Sequence, residues 1–161
     1  MQGYIYELSS EPIPEEERYS NTDLPDWFHG SISDGTCDIN AEERVSAIES
    51  LLGPLAGNCT YEDGKLQFTD NVKDRYFRGS FAEFKEAAAL LSAASYGVFS
   101  GQEKSTEFAK AMVAIRFAYE YKFDHYIYLR DNDELITLDA WVRDLDPKES
   151  FYIGGIIDYH W

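Results

Sequence analysis

The order of hydrophobic patterns along the chain constrains its fold more than any other feature of the sequence. Apolar and polar residues alternate as in a β-strand in residues 3–8, and strand-like segments return at 126–130, 135–142 and 151–159. The region between them contains three stretches in which apolar residues follow helical spacing. Strands at both ends with helices between them are typical of an α+β domain. We therefore expect a small antiparallel β-sheet, made of an N-terminal strand, a central hairpin and a C-terminal meander, packed against about three α-helices.

Local signals set the expected boundaries of these elements. The first helix is predicted to begin at Asn40 and the second at Ser80, because each is followed by a glutamate at the third helical position, as in a capping box. A third helix is expected over residues 105–119. Residues 59–69 are expected to form the central hairpin, since Asp63-Gly64 suits a tight turn between antiparallel strands.

The length of the chain, 161 residues, is that of one ordinary domain. We therefore expect a single acidic α+β domain over residues 1–161. Residues 9–26 are rich in Pro, Glu, Ser and Asn, and three prolines interrupt any regular structure there. This composition predicts a long acidic loop.

Charge is distributed unevenly along the sequence. Thirty acidic residues against 14 basic ones give a net charge of −16, and the segments 1–40 and 121–161 together carry −13 of it. If the fold brings the two ends together, as is common in compact domains, their acids form one negative face. Such a face repels nucleic acid and anionic membranes and attracts basic protein surfaces. The alternative is that the acidity serves only to keep the protein soluble.

No motif in the sequence points to a cofactor, a metal or a catalytic centre. The three histidines lie apart, and no nucleophile lies in a recognisable turn. Cys37 and Cys59 lack the paired short spacing of structural zinc ligands. Gly154-Gly155 lies inside a predicted strand, where it indicates a β-bulge or a close backbone approach rather than a phosphate loop. We expect neither a cofactor nor a metal, and the sequence gives no positive indication of an enzyme.

The candidate partner-binding residues are acidic side chains near the two ends of the chain together with three aromatic ones. If residues 126–130 pair with residues 135–142, the three aromatic side chains lie on one open face of the sheet. Aromatic residues of this kind are enriched in interface hot spots. The alternative is that helices cover this face and the aromatic residues belong to the core. The candidate residues are Glu15, Glu16, Glu17, Asp23, Asp26, Tyr126, Tyr128, Asp131, Asp133, Glu134, Asp139, Trp141, Asp144 and Asp146.

These features favour an acidic protein-interaction domain. It would act as an inhibitor or immunity-type protein that occupies the basic surface of a nucleic-acid-handling protein, with carboxylates in the positions of phosphates, as in DNA-mimic antirestriction or anti-CRISPR action. The expected partner is a basic protein, such as a nucleic-acid-binding enzyme, and neither nucleic acid nor a membrane is expected to bind directly. One alternative is an enzyme or small-ligand-binding domain with an aromatic-lined pocket. A second is a structural subunit of a larger assembly.

The expected location is the cytoplasm. The first eight residues lack the basic and apolar regions of a secretory signal. No stretch approaches the roughly 20 apolar residues of a membrane span. Two cysteines in a chain of this size suggest reduced thiols.

Overall fold

The computed structural model describes residues 2–120 and 124–161, and it has a mixed α+β composition, as expected. The chain divides into two compact units. The sheet unit comprises Met1–Lys73 and Phe123–Trp161, and the helical unit comprises Asp74–Lys122. The single domain over residues 1–161 stays a prediction, because compactness does not show whether either unit folds alone.

The sheet unit is built on one mixed β-sheet. In the described residues its strands are β1 (Gln2–Ser9), β2 (Gly35–Asp38), β3 (Cys59–Glu62), β4 (Lys65–Phe68), β5 (His125–Leu129), β6 (Glu134–Thr137) and β7 (Ser150–His160). Six of them lie in the order β3-β4-β7-β1-β5-β6, and β2 also pairs with β7. β1 runs antiparallel to β7 but parallel to β5, so the prediction of a purely antiparallel sheet is wrong. The reason is the long connection between β1 and β5, which lets the chain cross over and re-enter in the same direction.

Both faces of β1 are covered, which explains its nearly continuous burial. On one face, Leu24 and Phe28 pack with Ile5 in a hydrophobic cluster. On the other face, the hydroxyl of Tyr6 donates a hydrogen bond of 2.8 Å to the carbonyl oxygen of Ala47 in helix α1 (Ala41–Leu52). The predicted loop 9–26 contains two 3₁₀ turns, Glu15–Glu17 and Asn21–Asp23. The covering side chains come from its end, with Leu24, and from the segment that follows it, with Phe28.

Two local predictions are confirmed in this unit. The side-chain oxygen of Asn40 accepts hydrogen bonds from the backbone N–H groups of Glu42 and Glu43. The carboxylate of Glu43 accepts one from the backbone N–H of Asn40, so the capping box is complete. In the hairpin of β3 and β4, Asp63 and Gly64 have φ angles of 51° and 80°, as a primed turn requires.

The strand predicted over residues 135–142 is confirmed for residues 135–137 and wrong for residues 138–142. β6 ends at Thr137, and helix α5 (Leu138–Asp144) follows directly. The side-chain oxygen of Thr137 accepts a hydrogen bond of 3.2 Å from the N–H of Ala140, and Asp139 lies in the first turn, where the helix dipole favours a negative charge. Trp141 therefore lies on a helix, where it is buried against Phe68 and Phe151.

The helical unit contains most of α2 (Val72–Ser92), the short helix α3 (Tyr96–Phe99) and α4 (Thr106–Tyr119). α4 begins as predicted, with Ser105 accepting a hydrogen bond from the N–H of Phe108. The predicted start of the second helix at Ser80 is wrong, because Val72 and Tyr76 already follow helical spacing and Ser80 lies inside the helix. Within the described residues, no helix is both long enough and apolar enough to cross a bilayer.

Candidate functional site

The parallel strands β1 and β5 end at the same edge of the sheet, where Leu8 pairs with Leu129. The carboxyl ends of parallel strands are a common place for binding sites, since the loops that follow them meet there. Two depressions lie at this edge. We call them the acidic cleft and the tyrosine pocket.

The acidic cleft has a volume of about 680 Å³. Four carboxylates and a single lysine contribute its charged lining, so its local charge is negative. They come from three places: the turn after β5 with the start of β6, the end of α5, and the segment leading into β7. These charged residues are Asp131, Glu134, Asp144, Lys148 and Glu149.

Apolar side chains form the floor of the acidic cleft. Trp141 and Phe151 make an edge-to-face contact with 5.7 Å between ring centroids, and Phe68 makes the same kind of contact with Trp141 at 5.7 Å. Leu129 and Ile136 extend this surface. Aromatic pairs in this arrangement add a favourable interaction to the apolar area that they bury. The cleft therefore combines an apolar floor with a negative rim.

Asp131 is the most firmly held of the rim carboxylates. One of its oxygens accepts a hydrogen bond of 2.9 Å from the backbone N–H of Ser10, and the other accepts one of 3.2 Å from the hydroxyl of Ser9. The hydrogen bond from Ser10 is the main cause of a lowered pKa for Asp131. A carboxylate held in its charged form suits the binding of a cation rather than the donation of a proton.

The tyrosine pocket is a wide depression of about 470 Å³ at the same edge of the sheet. The rings of Tyr19 and Tyr128 stack with 3.7 Å between their centroids, and the hydroxyl of Tyr128 donates a hydrogen bond of 3.0 Å to Asp133. Burial is the main cause that raises the pKa of each tyrosine to about 12. Both hydroxyl groups therefore stay protonated at neutral pH.

Glu7 lies buried beneath the tyrosine pocket with each oxygen engaged. One oxygen accepts a hydrogen bond of 2.9 Å from the guanidinium of Arg130, and the other accepts bonds of 2.8 and 2.7 Å from the backbone N–H groups of Tyr19 and Gly155. Arg130 also pairs with Glu17 at 3.0 Å. Because a buried charge is costly unless it is paired and hydrogen-bonded, this network is structural: it fastens the segment after β1 to the sheet.

The close approach at Glu7 requires the two glycines that the sequence singled out. Tyr6 pairs with Ile156 and Leu8 pairs with Ile153, so Glu7 alone faces Gly154 and Gly155, and the predicted β-bulge is confirmed. A Cβ atom on Gly154 would lie 2.2 Å from a carboxylate oxygen of Glu7, and one on Gly155 would lie 1.9 Å from the carbonyl oxygen of Tyr19.

The structure distributes the predicted partner-binding residues over several places. The single open aromatic face is wrong, because Tyr126 is buried in the hydrophobic cluster and Trp141 is buried on α5. Asp139 is also buried, and Glu15, Glu16, Asp26 and Asp146 are exposed outside the two depressions. The acidic cleft brings together Asp131, Glu134, Trp141 and Asp144, and the tyrosine pocket brings together Glu17, Asp23, Tyr128 and Asp133.

Sequence reasoning missed several residues of these sites. Three residues of the acidic cleft were missed because they follow the turn signal Asp146-Pro147: Lys148, Glu149 and Phe151. This signal predicts where a helix ends, but it does not predict which way the side chains after it point. Glu7 and Arg130 are 123 residues apart, so only the pairing of their strands brings them together. Gly154-Gly155 was the one feature of the sequence that indicated a close approach at this point of the sheet.

By residue type, the histidines and cysteines are candidates as metal ligands and as thiol partners. Across residues 2–120 and 124–161, no group of three or more His, Cys, Asp or Glu side chains is placed to hold a metal ion. Both cysteines are free thiols. Burial is the main cause of the lowered pKa of His125, whose Nδ1 atom accepts the backbone N–H of Tyr4 at 3.3 Å.

The net charge is distributed unequally between the two units. The sheet unit has 24 acidic and 7 basic residues, for a net charge of −17, whereas the helical unit has 6 acidic and 7 basic residues, for +1. The whole negative excess of the chain therefore belongs to the unit that contains both depressions.

No protein-family model, curated protein or solved structure matches this chain. Its function must therefore be inferred from its own charge and geometry.

Proposed function

We propose that this chain is a protein-interaction module whose sheet unit binds a positively charged protein surface. The observation that carries the proposal is the charge of −17 in the sheet unit beside +1 in the helical unit. A surface of one sign steers an oppositely charged partner toward it and raises the rate of association. Solubility alone does not require one unit to carry the whole excess.

The acidic cleft is the proposed contact point for a lysine or arginine side chain of the partner. Such a side chain has an apolar stem and a charged head, and the cleft offers an apolar floor and a negative rim to match them. The hydrogen bond from Ser10 lowers the pKa of Asp131 and keeps this carboxylate charged, which suits contact with a cationic side chain.

We take the partner class to be a nucleic-acid-handling protein. A groove that binds a phosphate backbone is lined with lysine and arginine, and carboxylates on a folded domain can replace the phosphates. In that role the chain acts as an inhibitor that competes with nucleic acid for the groove. Binding of the two competitors is then mutually exclusive and weakens with added salt.

The test is capture of host-cell proteins on the immobilised full chain at about 50 mM and then about 500 mM salt, where surface charges are weakly and then strongly screened. The proposal predicts a basic, nucleic-acid-binding protein that is retained at low salt and displaced by duplex DNA. If no captured protein is released between the two salt concentrations and none is displaced by duplex DNA, the electrostatic basis is refuted. The absence of any partner from the host proteins refutes the proposed function.

Matched variants test the acidic cleft separately. The triple variant Glu134→Gln, Asp144→Asn, Glu149→Gln removes three rim charges and leaves Asp131 in place, whose hydrogen bonds support the fold. The control variant Glu11→Gln, Glu62→Gln, Asp70→Asn removes the same charge from exposed positions elsewhere in the sheet unit. We expect the first variant to lose the partner and the control to keep it. Equal weakening in both would place the contact outside the cleft.

A further inference from the structure

Exposed hydrophobic side chains are concentrated in the helical unit. Among the described residues, ten large hydrophobic side chains are exposed, and eight of them belong to this unit. Single exposed apolar residues are ordinary, whereas contiguous apolar patches mark interaction surfaces. The eight residues are Phe81, Leu90, Tyr96, Phe99, Met112, Val113, Phe117 and Tyr119.

Two of these residues line a groove between α2 and α4, with a volume of about 340 Å³. Its remaining apolar lining consists of small side chains, Ala87, Ala111 and Ala114, which let another chain approach closely. Leu90 and Phe117 are 44% and 56% exposed, so they are available as contacts. The groove residues of α4 extend from position 107 to position 117, which corresponds to about 15 Å along a helix axis. This length matches about three turns of a bound helix.

The charges at the groove select among possible occupants. Glu83, Glu86 and Glu107 line it together with a single cation, Lys110. A second copy of the chain docked groove to groove would place this negative rim against itself, and an anionic membrane would be repelled by it. A helix with basic residues beside its apolar face has complementary charge.

We propose that the groove between α2 and α4 docks an amphipathic helix of another protein, with apolar residues at positions i, i+3 or i+4, and i+7, and with lysine or arginine at its flanks. This surface belongs to the helical unit and does not depend on the acidic cleft. Apolar contacts dominate its lining, so its binding persists in salt that screens the charge of the sheet unit. The chain then binds two partners, or two parts of one partner, through charge at the sheet unit and through apolar contacts at the groove.

The probe is a fluorescently labelled 18-residue model helix of leucine and lysine, with leucine along one face, compared with the same peptide carrying glutamate in place of lysine. Binding to the full chain is measured by fluorescence anisotropy at about 500 mM salt, so that the charge of the sheet unit contributes little. Because this salt concentration also screens the charges of the groove rim, the two peptides are compared again at about 150 mM salt. There the lysine peptide is expected to bind at least about tenfold more tightly than the glutamate peptide, and this preference should disappear when Leu90 and Phe117 are replaced. Equal binding of both at this lower salt concentration, or binding of neither, would overturn the proposal.

Two pairs of substitutions locate the binding. The variant Leu90→Ser, Phe117→Ser removes the exposed apolar contacts of the groove, and we expect it to weaken the lysine peptide by at least about tenfold. The control variant Met112→Ser, Val113→Ser changes exposed residues of α4 that do not line the groove, and it should leave affinity within about twofold. Equal loss in both variants, with circular dichroism unchanged, would show that the groove is not the binding site.

Two further measurements separate the competing explanations. A concentration-dependent dimer in light scattering that the groove variant abolishes would identify a second copy as the occupant and overturn the proposal. The triple variant of the acidic cleft should bind the lysine peptide as the unmodified chain does. If it loses the peptide at about 500 mM salt, the contact belongs to the sheet unit and the groove proposal is wrong.

Discussion

The Glu7→Gln substitution tests whether a buried carboxylate fastens the segment after β1 to the sheet. The Glu7 side chain is 0% exposed, and it accepts hydrogen bonds from Arg130, Tyr19 and Gly155. Glutamine keeps the shape of the side chain but has only one accepting oxygen and no charge. If that oxygen continues to serve the two backbone N–H groups, the amide nitrogen faces the guanidinium of Arg130, and two groups that can only donate are left opposed.

The expected cost in the free energy of unfolding is about 3 kcal/mol. Removing one partner of a buried ion pair typically costs about 3–5 kcal/mol. The lower end applies because Arg130 is 34% exposed and can recover part of its solvation from water. The two backbone bonds also weaken when their acceptor becomes neutral, since hydrogen bonds to a charged group are worth about 1.5–3 kcal/mol and neutral ones about 1 kcal/mol.

Urea unfolding followed by tryptophan fluorescence measures this cost. All three tryptophans of the chain, Trp27, Trp141 and Trp161, belong to the sheet unit, so the signal reports on that unit. Glu17→Gln is the control, because that carboxylate is 58% exposed and should contribute less than about 1 kcal/mol. Trypsin should also cleave after Arg18 faster in Glu7→Gln, since the neighbouring Tyr19 loses part of its anchor. A cost below about 1 kcal/mol for Glu7→Gln, with an unchanged urea dependence, would refute the reasoning.

Three further predictions concern the sheet unit. Gly155→Ala should lower the urea midpoint by the equivalent of about 2 kcal/mol, because the new Cβ would lie 1.9 Å from the carbonyl oxygen of Tyr19, whereas Gly35→Ala meets nothing within 4 Å and should have little effect. Thr137→Ala should cost about 1 kcal/mol in the same assay through loss of the α5 cap, and Thr137→Ser should restore most of it. Burial lowers the pKa of His125 in the folded protein, so its contribution to stability is present above pH of about 6.5 and is lost as the pH falls toward the folded value. His125→Asn, which keeps an acceptor for the N–H of Tyr4, should therefore reduce the loss of thermal stability between about pH 7 and about pH 5, and an unchanged loss would contradict this assignment.

The two proposed surfaces differ in how far they could be foreseen. Eight of the 14 predicted partner-binding residues line the acidic cleft or the tyrosine pocket, because clustered acids and aromatic residues near β5 and α5 are visible in the sequence. Trp141 was predicted to face outward on a strand and instead forms the floor of the cleft from a helix. The groove of the helical unit was not foreseen, because the sequence does not show that Leu90 and Phe117, which line it, are exposed.

Local interactions are what the sequence by itself determined about this protein. The capping box at Asn40 and Glu43 and the tight turn at Asp63-Gly64 each depend on residues within a few positions of one another. These local interactions can form before the rest of the chain folds. The mixed α+β composition follows from the same periodic patterns.

Only the tertiary structure decided the features that join distant segments. The parallel pairing of β1 with β5 and the buried contact of Glu7 with Arg130 connect residues more than 100 positions apart. Nothing in the sequence around one partner indicates which distant residue it will contact. The hydrophobic pattern of residues 135–142 is compatible with either a strand or a helix. In the structure, the cap at Thr137 and the packing of Trp141 against Phe151 stabilise the helix. Net charge is a property of the sequence, but its separation into a unit of −17 and a unit of +1 exists only once the fold assigns the residues to the two units.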